Sequence, residues 1–495
     1  MAETGKAPAT PTNRRLVAGT LQVFMAEALS VPTGLLTVVV LTRHLGPADY
    51  GLYNLALAIV AALQWIIVAV LGHTTVKFVS QAEDWRPVGA AVVRFYLIVS
   101  LAVMLLLWLL AAPLAGLLGV PGLAPYLRLF ALEIPVFSVA RAHRNILIGL
   151  DGVGERALIA ASRWISRLLL IVAFIALGLG IWGAILGSIG AALVELIVGR
   201  MYIRPPLFRV PAFPIRRLWG YAVPLFLSAV SLRLYNRLDV LALQALGGSV
   251  REAGIYSAAQ NIALFPGLVS LSFAPLLTAA LSRLLQGGET QAARQMGRNA
   301  FRIVIALIPF AGLIAGAAPG LALVAFGHEF RDAGPLMALL IFGALALLVN
   351  SVASAMLVAA GRPRLTLVIT LPLLPLALAG NVLLIPVLAA LGAAIATTLA
   401  ATVTAIIAVA AVYRASNVLP PIGTLARGIL IGICAYAALR LWPAPGMWLF
   451  VQASGVALLI LLGFLALGEL SASELAAARS MLPWTARTRR SPGQA

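Results

Sequence analysis

Residues 41–60 read LTRHLGPADYGLYNLALAIV: an apolar run, a charged patch around Gly46-Pro47, and a second apolar run. Gly-Pro is a helix-breaking signal, and the charges of Arg43, His44 and Asp49 mark a place where water is within reach. The pattern predicts one helix arriving, a tight turn, and another helix leaving. Some two hundred residues later, LGGSVREAGIYSAAQNIA at residues 246–263 repeats it. Each junction therefore predicts two helices meeting at the same kind of turn.

Composition says what those helices cross. The chain has 495 residues, 62% of them hydrophobic and only 10% charged, with a mean hydropathy of +1.03. Soluble domains run at about 45–50% apolar and about 25% charged, and single soluble cores stop growing near roughly 250–300 residues. The apolar residues fall in blocks of about 18–28, enough to span a hydrocarbon layer of roughly 30 Å. The expected fold class is an all-α polytopic membrane protein. A net charge of +19 would suggest nucleic acid in a soluble chain; here basic loops that orient the spans explain it, and no nucleic-acid partner is expected. The basic residues are 33 Arg and only Lys6 and Lys77. Arginine keeps its charge when buried and grips phosphate or carboxylate through two hydrogen bonds. The lone Cys434 rules out an internal disulfide or a cysteine metal cluster. Met1 to Arg15 is polar and the first apolar block is full length, so no cleaved signal peptide is expected.

Fourteen spans are predicted, near 18–42, 52–72, 92–112, 124–148, 157–179, 181–200, 218–246, 255–282, 301–326, 334–359, 366–389, 391–413, 424–441 and 447–468. With the amino terminus inside, the tails and the connections after even-numbered spans, flanks included, hold 27 of the 35 basic residues. That bias predicts both termini on the cytoplasmic side of a plasma membrane. GLYNLALAIV at Gly51 aligns with GIYSAAQNIA at Gly254, and GAILGSIGAA at Gly183 with GAAIATTLAA at Gly392. The offsets are nearly constant, so the chain reads as two parallel six-helix repeats with two extra helices. The expected organisation is a first lobe at 14–204, a cytoplasmic linker at 205–217, a second lobe at 218–415, the extra helices at 424–468 and a cytoplasmic tail at 469–495. Parallel repeats that rock around a central site are a common transporter plan.

Ionisable residues deep in a span usually face a protein interior or water. Arg233 and Arg237 lie four apart on one face of span 7, with Asn236 between them, and two cations there suit an anion site. Arg141 and Arg167 add cationic side chains from spans 4 and 5. Gln260 and Asn261 stand where the first repeat has Leu57 and Ala58. Span 1 offers Gln22, Glu27, Ser30 and Thr33 at matching depth. These residues are the expected lining of a cationic, substrate-binding cavity. Glu27, Asp239 and Glu133 are candidates for coupling Na⁺ or a proton. Arg163, Arg144 and Glu195 lie near the cytoplasmic end, where snorkelling or pairing accounts for them. No catalytic or metal-ligand constellation accompanies the cavity, so neither an enzyme nor a bound cofactor is expected.

RHLGPADYGLYNLALAIV after one span resembles the signature of the bacterial and archaeal oligosaccharide flippases, the polysaccharide transport family of the multidrug/oligosaccharidyl-lipid/polysaccharide exporter superfamily. RLDVLALQALGGSVREAGIYSAAQNIA and NVLLIPVLAALGAAIATTLA resemble its later junctions. The resemblance implies a two-lobed, V-shaped transporter that turns a polyprenyl-pyrophosphate-linked oligosaccharide from the inner to the outer leaflet by alternating access. Its partners would be that glycan, membrane lipid, and a glycan polymerase or glycosyltransferases. The alternatives are a multidrug–cation antiporter of the same superfamily and a non-transporting member of a glycan-assembly complex.

Overall fold

The computed structural model describes residues 29–150, 152–205, 238–263, 265–362 and 364–469. All regular structure among them is helical. Ten helices among the described residues are long and apolar enough to cross a membrane. That number is smaller than fourteen partly because two span pairs run together. Spans 1 and 2 form Ser30–Ser80, interrupted only at Gly46 (φ 70°). Span 12 with most of span 11 lies within Leu373–Ser416, interrupted at Ala389 (φ 48°), the start of span 11 falling in the separate helix Arg364–Thr370. Of span 7 only residues 238–245 are described as helix.

The break at Gly46 is narrower than the predicted turn, since Pro47 already sits in the next helix, where its missing N–H costs nothing. Arg43, His44 and Asp49 are exposed as expected, while Pro47 and Tyr50 are buried. Span 9 begins earlier than predicted: Thr290–Ile305 is helical, and Ile308–Phe326 continues it past a short interruption. The basic residues 294, 298 and 302 thus stand on a helix rather than in a loop.

By its contacts the chain forms two compact units. The first takes Met1–Ile262, Ala325–Leu336 and Thr370–Ala400; the second takes Ala263–Val324, Met337–Ile369 and Ala401–Ala495. The second sequence repeat therefore contributes to both units.

Within the first unit the two quoted junctions press on each other. A Cβ on Gly51 would fall on the Val250 carbonyl oxygen and 3.0 Å from the Gly254 nitrogen. A Cβ on Gly254 would fall on the Pro47 carbonyl oxygen and 2.9 Å from the Gly51 nitrogen. The reciprocity is that of a local two-fold, in which residue i meets j and j meets i. Around this crossing, Arg43 Nε donates to the Ala325 carbonyl at 3.2 Å and Arg251 Nη2 to the Glu329 carbonyl at 3.3 Å. The Tyr50 ring meets Phe330 edge-on, with centroids 6.0 Å apart. Span 6 closes on span 5 by the same means: Gly183, Gly187 and Gly190 lie against Phe174, Ile171 and Leu170. Lipid gives helices no hydrophobic reason to associate, so close backbone approach supplies the attraction. In the second unit, Gly312 and Gly316 of span 9 lie against Gly432 and Tyr436 of span 13, which docks the extra helices.

The repeat is visible in the backbone as well. Gly180 (φ 54°) opens span 6, and its counterpart at the offset of the Gly183/Gly392 match is Ala389 (φ 48°). An L-residue is strained in this left-handed region and glycine is not. Ala389→Gly is expected to raise the melting temperature of the purified protein, by about 1 kcal/mol of stability. Gly254→Val is expected to cost more than about 3 kcal/mol, seen as loss of the folded peak in size-exclusion chromatography.

Candidate functional site

Three polar groups lie inside the first unit. The first is a closed ion-pair network. Arg163 Nη2 donates to Glu133 Oε1 and its Nη1 to Glu195 Oε2, both at 3.1 Å. Arg141 Nε lies 3.7 Å from Glu195 Oε1. Both guanidinium groups cover the Phe137 ring, 4.8 Å (Arg141) and 4.5 Å (Arg163) from its centroid. Glu133, Arg163 and Glu195 are all buried. Arg144 also acts on Glu195, so each carboxylate is held by arginines. The structure thus places Arg141 and Glu133 in one ion-pair network with Arg163 and Glu195.

The second group lines a cavity of about 150 Å³. Span 1 supplies Thr33 and Thr37, span 2 supplies Tyr50, Tyr53 and Asn54, span 5 supplies Trp164 and Arg167, and span 8 supplies Asn261. Arg167 Nη2 donates to the Tyr53 hydroxyl at 3.1 Å, and that hydroxyl lies 3.4 Å from Ser188 Oγ. Asn261 Nδ2 reaches the Tyr50 hydroxyl at 3.3 Å and the Ser257 carbonyl at 2.7 Å. Arg167 Nε is buried without a hydrogen-bond acceptor, and no carboxylate among the described residues pairs with this side chain. A guanidinium held by a neutral hydroxyl, on the wall of an intramembrane cavity, is a ready seat for an anion.

The third group is centred on Asp239. Its Oδ2 accepts from the Tyr256 hydroxyl and from Gln260 Nε2, each at 2.7 Å, and its Oδ1 accepts from the Val240 amide at 2.9 Å. Tyr256 is the counterpart of Tyr53 at the offset that pairs Gly254 with Gly51. Each repeat thus uses the tyrosine two residues past its crossing glycine to hold an intramembrane charge. In the first repeat the charge is the cation Arg167; in the second it is the anion Asp239.

Of the cationic-cavity residues expected from sequence, Arg167 and Asn261 come together in one cavity, Gln260 goes to Asp239, and Arg141 to Glu195. Arg233, Asn236, Arg237 and Glu27 lie outside the described residues. Trp164, Tyr53 and Asn54 were not expected in the site. Their signal lies in the stretch that marks the junction, where Tyr50, Tyr53 and Asn54 recur at three- and four-residue spacing on one helix face. The second unit holds an apolar cleft of about 670 Å³ lined by Phe301, Phe342, Ile406, Ile429 and Tyr436 among others.

Residues 16–282 match the family described as "Polysaccharide biosynthesis protein". The chain belongs to that family. It is 28% identical over 316 residues to the succinoglycan biosynthesis transport protein ExoT of Rhizobium meliloti. That match spans 61% of this chain and 61% of the relative's length. The fold is that of solved exporters. The lipid II flippase MurJ aligns with a TM-score of 0.75 at 12% identity, over 90% of this chain and 98% of that one. A multidrug resistance MATE family transporter of the MOP superfamily aligns at 0.66 and 16% identity, over 86% and 99%. A MOP superfamily transporter from Pyrococcus furiosus, described as having a binding pocket of reverse polarity, aligns at 0.56 and 16% identity, over 86% and 96%.

The ion-pair network and the arginine cavity make different demands on stability. Removing one member of a buried ion pair strands its partner, at about 3–5 kcal/mol. Glu195→Gln is expected to lower the melting temperature of the purified protein markedly. Arg86→Gln, which removes an exposed pair with Asp84 at 3.8 Å, is expected to leave it unchanged.

Proposed function

We propose that this protein carries a polyprenyl-pyrophosphate-linked oligosaccharide from the inner to the outer leaflet of the plasma membrane, by alternating access and with both termini in the cytoplasm. The observation that carries this reading is Arg167, an intramembrane cation on a cavity wall with no carboxylate within ion-pair distance among the described residues. A pyrophosphate is dianionic or more and is bound well by guanidinium groups. Trp164, Asn54 and Asn261 offer a ring face and amides of the kind that suit a sugar. Family membership and the match to a succinoglycan transport protein support the same class of cargo. A cationic drug would meet the wrong charge at Arg167, which counts against the antiporter alternative, and no group in the cavity calls for covalent chemistry on the glycan.

Net movement needs an energy source, because binding that is equal in both states shifts nothing. Asp239 is the proposed coupling group, taking up Na⁺ or a proton, since it is a buried carboxylate held by Tyr256 and Gln260. Glycosyltransferases and a glycan polymerase would supply and consume the cargo on either side.

The test is made in cells that depend on this gene for their surface glycan. A charge-assisted hydrogen bond contributes about 1.5–3 kcal/mol, so Arg167→Gln is expected to cut export about 10–100-fold and to accumulate inner-leaflet lipid-linked oligosaccharide at unchanged protein level. Arg167→Lys is expected to recover part of it. Full export by Arg167→Gln would remove the arginine from the reading, and no accumulation on deleting the gene would remove the flippase itself.

A further inference from the structure

The helix Thr290–Ile305 of the second unit has a strongly divided surface. Ala293, Gly297, Ala300 and Phe301 are buried, whereas Arg294, Arg298 and Arg302 recur every four residues on the polar side. Like charges at that spacing work against a helix, and the segment TQAARQMGRNAFRIVI carries no acid to offset them. Beside this helix begins Ile422–Leu441, whose N-cap residue Pro421 offers no capping side chain. The positive end of its dipole and the first-turn amides of Gly423 and Thr424 are therefore available to a ligand.

Between the two helices lies a cleft of about 370 Å³, lined by Gln295, Arg298, Asn299, Arg302, Thr424 and Arg427 among others. One carboxylate enters it. Glu469 accepts from Arg427 Nη1 at 2.9 Å and from the Thr424 hydroxyl, and lies 3.5 Å from Arg302 Nε. Arg302 Nη2 also donates to the Glu469 carbonyl at 2.9 Å. Arg302 and Arg427 thus share Glu469, and Arg298 lines the cleft beside them. Arg298 is exposed, and an adjoining cleft of about 560 Å³ shares it and adds the exposed Arg294. Membrane orientation alone calls for basic residues in connections. It does not call for a cleft that gathers their head groups with amide side chains and an uncapped helix start.

We propose that this cleft binds the phosphate of an anionic phospholipid. Guanidinium groups and helix starts are the two protein elements that favour phosphate. The cleft also stands where both helices turn apolar: Ile303, four residues past Asn299, is exposed on one, and Ile429 is exposed on the other. A lipid whose phosphate sits there keeps its acyl chains against that apolar flank. This site does not depend on what the protein transports.

The full-length protein in an uncharged detergent is titrated with short-chain phosphatidylglycerol, short-chain phosphatidylcholine or inorganic phosphate, and bound lipid is counted by native mass spectrometry. Phosphatidylglycerol is expected to bind and phosphatidylcholine not. The double variant Arg294→Gln/Arg298→Gln is expected to bind phosphatidylglycerol about 25-fold more weakly, at roughly five-fold per arginine. Both side chains are exposed, so its melting temperature without lipid stays at the wild-type value, which separates lost binding from lost folding. Equal binding of the two lipids, an unchanged affinity in the double variant, or an equal loss in Arg86→Gln would overturn the proposal. Inorganic phosphate binding as tightly as phosphatidylglycerol would overturn the lipid as its source.

Discussion

Two backbones touch at Gly51 and Gly254, and there is no room for a side chain between them. That contact sets where the later residues of each helix stand. One turn or less beyond the crossing come Tyr53 and Asn54 on one side, Tyr256 and Ser257 on the other, with Gln260 and Asn261 a turn further. The cavity is shared because of it: Asn261 of the second repeat reaches the hydroxyl of Tyr50 in the first. Inside a bilayer, where lipid chains are as apolar as leucine, such close packing is a main source of helix association. A β-carbon at either glycine would separate the helices and dismantle the cavity wall with them.

Charge inside the membrane is handled in two ways, and the contrast separates structure from function. Glu133, Arg141, Arg163 and Glu195 pair with one another around Phe137. Burial of that set is tolerable because each charge has an opposite charge nearby. Arg167 feels the Glu133 carboxylate only from beyond ion-pair distance, donates to a tyrosine hydroxyl, and has no acceptor at its Nε. Keeping a cation in that state works against stability, and a role for the charge is the physical reason to retain it. The repeat deepens the contrast, since the equivalent tyrosine holds Asp239 in the second half.

Much of the fold was legible because it rests on signals that survive in a single chain: apolar blocks of membrane length, basic residues on alternate connections, and Gly-Pro or Gly-Gly punctuation. The Gly51/Gly254 match was legible as a repeat, yet its meaning was not. Sequence offset cannot say that two equivalent turns pack on each other. Within the site, Arg167 and Asn261 were legible as polar residues at the wrong depth for lipid. Arg141 and Glu133 looked the same by that criterion, because hydropathy counts a charge without seeing its partner. The tyrosines and Trp164 were missed for the converse reason: aromatic residues are at home in a membrane, and only geometry shows that these line one cavity. Pairing in space is the information that a linear pattern lacks.

Whether a cavity built on this crossing carries an anionic lipid-linked glycan is tested most directly by reconstitution. The purified full-length protein is placed in vesicles with a polyprenyl-pyrophosphate-linked oligosaccharide labelled on its sugar, and appearance of the label at the outer surface is followed with a membrane-impermeant modifying reagent. Protein-dependent exposure of the inner-leaflet label is expected, slowed strongly by Arg167→Gln. Exposure no faster than in protein-free vesicles, under an imposed Na⁺ or proton gradient of either direction, would contradict that role.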